Sequence, residues 1–383
     1  PGSPEYLRVR DWSEGIARET SLGVLLPLSG PYARYGEQAL RGIRLALASI
    51  SEGRGITLHV EDTASGGEGC RSAYRHLVDQ GVEVVLGPLT GECVKDLIPV
   101  VSSSTPVMAL TSRVELARES DALFVHTLSP IMQARFMAEY AFQQGARKLV
   151  LVHSTGKSSR NEAASFKERF EEQGGEIVYQ LELSNGHIDY RDSLINLRRM
   201  TDDEALLASL DEEKALFGDE EDEIRLPVNF DSMYLALPGR TVALLAGQLV
   251  YLDISHVHLY GSSRWRDGYL LSDRGRYMSE ARFSDIAFPQ DHSPEIRGLL
   301  QSYREVWGEE TPSRLVGLAY DSTLIVAMVT SRLGLHGFGI LRGLKDETGF
   351  PGVTGHVLFD DDGIGHKLFE VFTIKRGKIV PAG

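Results

Sequence analysis

Hydroxyl side chains set beside glycine are the residues in this chain best placed to do chemistry, and they occur at two points. Gly87-Pro88-Leu89-Thr90-Gly91 follows an apolar run and opens a helical stretch, and Leu110-Thr111-Ser112 follows the next apolar run. In an open α/β sheet, ligands bind just beyond the carboxyl ends of the strands. Hydroxyls and backbone amides there suit a carboxylate or another polar anion. The same residue types also cap helices. The pattern alone fits both uses equally.

Sharper chemistry is not supported by spacing. Thr155-Gly156-Lys157-Ser158 resembles the end of a phosphate-binding loop, but Leu151 stands where that motif needs its first glycine. Gly337-Phe338-Gly339 follows a helical stretch, not a strand, so it makes no dinucleotide fingerprint. His256 and His258 alternate on one strand face, and no third ligand accompanies them, so no metal site is expected. Asp360-Asp361-Asp362-Gly363 lacks the ligand alternation of a calcium loop and reads as a hairpin turn. The common hydrolase signatures are missing. We expect neither an enzyme nor a cofactor. Cys70 and Cys93 are the only cysteines and fit no metal motif; composition allows either two free thiols or a disulfide.

These residues must be held by regular elements, and the chain supplies them in alternation. Buried strands are expected at Ser21–Pro27, Ile56–Glu61, Glu83–Leu86 and Pro106–Leu110. Between them lie a helical stripe through Ala39, Leu40, Ile43, Ala46, Leu47 and Ile50, a helix at Cys70–Gln80 and another at Glu92–Ser102. A second series follows Pro130, with strands at Lys148–His153, Glu176–Leu183, Asp231–Leu237 and Val257–Tyr260. Such alternation builds parallel sheets covered by helices. At 383 residues the chain exceeds one core, so two doubly wound α/β lobes are expected. The carboxy-terminal part adds helices at Ser293–Trp307 and Pro312–Leu333. It ends in two strands, His356–Phe359 and Leu368–Lys375, joined by the aspartate turn.

Composition narrows the partners. A net charge of −14 argues against a nucleic-acid surface, which needs clustered cations. No stretch reaches the length of uninterrupted apolar sequence that spans a bilayer. Thr201–Leu226 carries eleven acidic residues between Asp202 and Glu223, and reads as an acidic surface insertion.

Beyond these patterns the chain resembles a known family. GVLLPLSGPYARYGEQALRGIRLAL, EDTASGGEGC, GVEVVLGPLTGE, TPVMALTS, RKLVLVHS, AYDSTLIVA and FDDDG follow one another as in type I periplasmic ligand-binding proteins, the group of the leucine/isoleucine/valine-binding protein. The likeness runs from Ser21 nearly to the end. It implies two doubly wound parallel-sheet lobes joined by three crossovers. We expect a lead at 1–20, an amino-terminal lobe at 21–128 plus 290–350, and a carboxy-terminal lobe at 129–289 plus 351–383 with the insertion 201–226. It also implies a Cys70–Cys93 disulfide, and an extracytoplasmic or periplasmic protein, in some relatives lipid-anchored.

Carried over residue by residue, the resemblance places ligand contacts at Tyr35, Thr90, Gly91, Leu110, Thr111 and Ser112, with Ser158, Ser263 and Trp265 on the second lobe. Trp265 is read either as stacking on an apolar or ring-shaped ligand or as a core tryptophan at a strand end, and Asp321 is expected to be structural. Amino-acid binders carry an acidic residue for the ligand ammonium where this chain reads Ser262-Ser263-Arg264-Trp265. The resemblance implies a small ligand, an amino acid or similar carboxylate, captured by closure of the lobes. It also implies the membrane permease of an ABC transporter as partner. FDSMYLALPGRTVALLAGQLVYLDI followed by LYGSSRW is similar to a sub-branch, the penicillin-binding-protein activator lipoproteins, for which the partner is a peptidoglycan synthase.

Overall fold

The computed structural model describes residues 20–50, 56–64, 68–201, 228–252, 254, 257–266, 270, 277–278, 281–286, 293–308, 311–333, 338–375 and 377–382. The lead before residue 20, the acidic segment from residue 202 to 227 and His256 lie outside them. The chain divides into two units, Pro1–Ser129 with Ile286–Leu368, and Pro130–Asp285 with Phe369–Gly383, and so passes between them three times.

The first unit opens with β1 (Thr20–Leu26), α1 (Ala33–Ile50), β2 (Ile56–Asp62), α2 (Glu68–Asp79), β3 (Val84–Leu86), α3 (Gly91–Leu97), β4 (Val107–Ala109) and β5 (Leu123–Val125). The strands pair in the order β2-β1-β3-β4-β5, every pair parallel. Sheets of this kind are covered on both faces, which explains why β1, β3, β4 and β5 are runs of apolar residues rather than alternations. α3 is shorter than the expected Glu92–Ser102 and ends at Leu97. Ile98 still has helical backbone, but Pro99 after it has no N–H to continue the hydrogen-bond ladder.

The second unit continues with α4 (Pro130–Gln143), β6 (Lys148–Ser154), α5 (Lys157–Glu172), β7 (Glu176–Leu183), α6 (Arg191–Thr201), β8 (Ser232–Ala236), α7 (Gly239–Tyr251), β9 (His258–Gly261) and β10 (Arg282–Asp285). The period of two along its central strands sorts side chains between two cores. Val150, Val152, Met233 and Leu235 pack with Leu194, Leu197, Leu245 and Leu249 of α6 and α7. Leu149, Leu151, Tyr234 and Ala236 pack with Met137, Phe166 and Phe170 of α4 and α5.

The chain then returns to the first unit with α8 (Pro294–Trp307), α9 (Arg314–Leu333), α10 (Phe338–Leu344), β11 (Val357–Phe359) and β12 (Gly365–Lys367), before β13 (Glu370–Lys375) and β14 (Lys378–Pro381) complete the second. Ala319, Ile325, Val326 and Val329 of α9 join Leu40 and Ile43 of α1 over the sheet. Two expectations are corrected here. The aspartate turn joins β11 to β12, an antiparallel pair within the first unit. The segment from Leu368 belongs elsewhere: β13 pairs antiparallel with β10 and β14 in the second unit's sheet, ordered β14-β13-β10-β9-β8-β6-β7. The last passage therefore falls between Leu368 and Phe369, and residues 351–368 belong to the first unit. Val357 and Phe359 are buried in its core, and Asp321 of α9 accepts hydrogen bonds from the Val353 and Thr354 amides.

Candidate functional site

In each unit the parallel strands bring the expected residues to one sheet edge. In the first unit, β3 and β4 are neighbours, so the segments after them, Gly87–Gly91 and Leu110–Ser112, lie side by side. Gly87 adopts φ +96°, and a side chain there would meet the Leu25 carbonyl oxygen at 2.1 Å, so the turn admits only glycine. Thr90 is half-buried and N-caps α3, its Oγ1 accepting from the Cys93 amide at 3.3 Å. The Cys70–Cys93 disulfide ties that same turn of α3 to α2.

Ser112 is exposed at the end of the neighbouring segment. Leu110 is turned inward into the core, and Thr111 is only 2% exposed, its hydroxyl accepting from the Arg113 amide at 3.3 Å. Side-chain contact with a ligand from this pair of segments thus falls to Thr90 and Ser112. Gly91 is buried because the Arg113 stem crosses it, with Cδ 2.4 Å from where a β-carbon would stand. Arg113 reaches on to Glu115, its Nε donating at 2.8 Å. Nothing in the sequence pattern singled out this arginine beyond its place after Ser112.

Tyr35 in the first turn of α1 is 54% exposed, and Tyr32 just before it is similarly open. The loop that carries them is anchored by Asp62 at the end of β2, whose Oδ1 accepts from the Leu28 amide at 2.8 Å and the Ser29 amide at 3.3 Å. Burial pushes the Asp62 carboxyl up, and hydrogen bonds from Ser29, Ala64 and Leu28 outweigh it, so it titrates below the usual range.

A buried polar cluster lies behind this edge. His126, directly after β5, shares a 2.7 Å hydrogen bond between Nδ1 and the Ser322 hydroxyl, and its Nε2 has no partner among the described residues. Burial, reinforced by the Lys367 charge, holds this imidazole well below its ordinary pKa. The adjacent Asp321 is buried and accepts from the Val353 and Thr354 amides, each at 2.8 Å, and from the Thr354 hydroxyl. Lys367 donates to that hydroxyl at 2.7 Å, and burial pushes its ammonium down to about 8.

In the second unit, β6, β8 and β9 are successive neighbours. Ser158 is exposed after β6. The next residue is structural, because the Ser159 Oγ accepts from the Ser154 amide at 2.8 Å and donates to the Ala236 carbonyl at 2.5 Å, locking the ends of β6 and β8 together. Ser263 is buried, and its amide donates to the Gln133 Oε1 at 2.8 Å.

Trp265 corrects the expectation of a stacking surface. It is wholly buried, packs among Leu235, Phe283 and Leu249, and donates from Nε1 to the Leu235 carbonyl at 3.2 Å. Gly261 makes room for it: a β-carbon there would lie 2.1 Å from the indole. A core tryptophan with its N–H satisfied offers no face to a ligand.

Between these segments is a centre that the sequence pattern did not reveal. Glu162 of α5 is fully buried; its Oε2 accepts from the Arg264 Nη1 at 3.1 Å and its Oε1 from the Tyr234 hydroxyl at 3.0 Å. Burial pushes the Glu162 carboxyl up against the pull of Arg264, and pushes the Tyr234 hydroxyl well up. Among the described residues no group of three or more His, Cys, Asp and Glu is arranged to hold a metal ion, and no helix is long and apolar enough to cross a membrane.

Comparison with known proteins places this geometry. Residues 19–378 match the family model described as periplasmic binding protein. The Leu/Ile/Val-binding protein homolog 3 of Brucella melitensis is 25% identical over 181 residues, covering 45% of this chain and 49% of the relative. The match thus spans about half the length of that curated relative. Among solved structures, a candidate branched-chain amino acid ABC transporter from Rhodospirillum rubrum superposes with a TM-score of 0.81 at 19% identity, over 95% of this chain and all of that one. Full-length LpoA from Haemophilus influenzae superposes with a TM-score of 0.68 at 19% identity, over 96% of this chain and 60% of that one.

Proposed function

The chain belongs to the periplasmic binding protein family, and on that premise we propose that it captures a small carboxylate-bearing solute, an amino acid or a related acid, for uptake or sensing. The family is one of solute-binding proteins rather than enzymes, and it implies an extracytoplasmic location. The observation that carries the proposal is the pair of hydroxyls at the adjacent ends of β3 and β4, the exposed Ser112 and the half-buried Thr90, whose Oγ1 accepts from the Cys93 amide. A carboxylate needs several short donors to replace its lost water. The ligand meets the first unit there, and the segments that hold Ser158 and Ser263 are the second unit's own candidate contacts. Any hinge motion that binding favours is driven only by the ligand's differential affinity for the two conformations. The relatives named for leucine, isoleucine and valine binding support an amino-acid-sized ligand, and the structural neighbour named as an ABC transporter supports delivery to an ABC-type permease.

The test is a thermal melt of the purified chain against amino acids, short peptides, aromatic acids and muropeptides. A ligand at roughly 100 times its Kd stabilises the folded chain by about 2.7 kcal/mol. Thr90→Ala and Ser112→Ala are expected to abolish most of that shift; Thr90→Ala also removes the N-cap of α3, a cost of about 1 kcal/mol, so each shift is read against the variant's own ligand-free melt. If no compound moves the melt, the solute-binding reading falls, and the resemblance to peptidoglycan synthase activators becomes the one to pursue.

A further inference from the structure

The charges at the carboxyl edge of the second unit's sheet run opposite to what an α-amino acid requires. After β6 comes the exposed Lys157, after β8 the exposed Arg240, and after β9 the partly exposed Arg264. The acids near this edge are committed. Glu162 is buried beneath Arg264, and the buried Asp285, at the end of β10, is held by Arg266 at 2.5 Å. Asp189, beyond β7, is bound by Arg191 through both oxygens, Nε donating to Oδ1 and Nη2 to Oδ2. Among the described residues, no unpaired carboxylate at this edge could receive an ammonium group.

Arg264 stands out among the cations because it is fixed. Its Nη1 donates to Glu162 Oε2 and, at 3.4 Å, to the Ala236 carbonyl, while Tyr234 holds the other oxygen of Glu162. Those bonds use one nitrogen of a planar group with five N–H donors. Nε and Nη2 have no partner among the described residues, and the side chain keeps 26% of its surface open. A guanidinium held at one corner and open at the others is arranged to meet a carboxylate with two parallel bonds, at little further cost in ordering.

We infer that Arg264, fixed by Glu162 and Tyr234, is the specificity-determining residue of the second unit. It selects carboxylic acids without an ammonium group, such as 2-oxo acids, 2-hydroxy acids and dicarboxylic acids, over α-amino acids. The inference rests on the solute-binding reading and sharpens it. An ammonium brought to this edge meets like charge with no compensating carboxylate.

Isothermal titration calorimetry on matched pairs tests it: leucine against 4-methyl-2-oxopentanoate, phenylalanine against phenylpyruvate, and glutamate against 2-oxoglutarate. At least one ammonium-free partner is expected to bind about tenfold or more tightly than its amino acid. Arg264→Gln should lose about tenfold or more on that acid. Because Arg264→Gln alone strands the buried Glu162, the double variant Glu162→Gln with Arg264→Gln is measured beside it. It removes both charges, should melt near the wild type, and should show the same loss. If amino acids bind as tightly as their ammonium-free partners, or the double variant keeps the acid within about threefold, Arg264 is not the selector although solute binding stands. If none of the six compounds binds, the selection is refuted, and the wider panel of thermal melts decides whether the solute-binding reading stands.

Discussion

Replacing Asp321 by asparagine should unfold the first unit far more readily than an ordinary carboxylate-to-amide change. Asp321 is fully buried and takes three hydrogen bonds, from the amides of Val353 and Thr354 and from the Thr354 hydroxyl. The same hydroxyl accepts from Lys367, so carboxylate, hydroxyl and ammonium form one chain. Lys367 is only 6% exposed, and its pKa stands at about 8 against an ordinary 10.5 even with Asp321 beside it. At about 1.4 kcal/mol per unit, that depression is a burial cost of about 3 kcal/mol already borne near neutral pH. Asparagine removes the offsetting charge and turns an N–H₂ group toward donors. We therefore expect Asp321→Asn to cost about 3–5 kcal/mol, the range for breaking a buried pair from one side. Asp321→Asn with Lys367→Met should recover about half of it.

Urea titration followed by circular dichroism, fitted with a separate transition for each unit, measures this. Lys367 also leaves a signature in pH. Between about 8 and 10.5 the unfolded chain holds a proton that the folded chain has released. Wild-type stability therefore gains from this group as pH rises through that window, by up to about 1.4 kcal/mol per unit, and the Lys367→Met variant lacks the gain. Asp321 acts oppositely on the acid side: its pKa is raised, so its contribution falls as pH climbs above its ordinary value of 3.8. A single variant within about 1 kcal/mol of wild type, or a double variant no better than the single, would refute the pairing.

Other outcomes follow from the same coordinates. His126 stays neutral in the fold while the unfolded imidazole protonates below 6.5. Stability should therefore fall as pH drops below that value, the slope rising towards about 1.4 kcal/mol per pH unit, and His126→Gln should flatten it in urea midpoints measured from pH 7 to 5. Trp265→Ala should cost about 3–5 kcal/mol through the cavity it leaves. Its ligand affinity, measured by calorimetry on the folded fraction, should stay within about threefold of wild type; a large affinity loss with intact stability would restore the stacking role. Replacing Cys70 and Cys93 by serine opens a loop with a sequence separation of 23. The cost should be about 3 kcal/mol in the same titration, absent when the wild type is measured under reducing conditions.

The alternation of apolar runs and helical stripes was enough to read two doubly wound units, because strands buried on both faces leave an uninterrupted apolar signal. It failed where strands are short or polar. β5 is three residues, Leu123-Phe124-Val125, and β10 carries Arg282, Ser284 and Asp285, a composition that reads as loop. Asp285 is tolerated there because Arg266 compensates it. The carboxy-terminal strands were joined wrongly because a turn signal fixes where a hairpin bends but not how soon its return strand ends. Gly365–Lys367 closes the hairpin in three residues, and the more apolar β13 is spoken for by β10. At the candidate site the hydroxyls after β3 and β4 were legible from their place beyond apolar runs. Which of them face outward was not: Thr111 and Ser112 are consecutive, and one is buried while the other is open.

What the sequence concealed most fully are the buried charge pairs, since a lone Glu on an amphipathic helix or a Lys at a strand end reads as surface. Both units contain such pairs, and the difference between Lys367 with Asp321 and Arg264 with Glu162 separates support from recognition. Lys367 is enclosed, its ammonium turned to the Thr354 hydroxyl, so the Asp321 cluster closes on itself and holds the β11–β12 hairpin to α9. Arg264 answers its buried carboxylate with a single nitrogen and leaves the rest of the guanidinium partly open at the end of a parallel strand. Sequestering Glu162 under an arginine is costly unless the pair is well bonded, and a hydrophobic pair of similar volume could fill the same space. An arginine maintained at that cost, with donors left over where sheets of this type take their ligands, is accounted for by what those donors bind rather than by the stability of the fold.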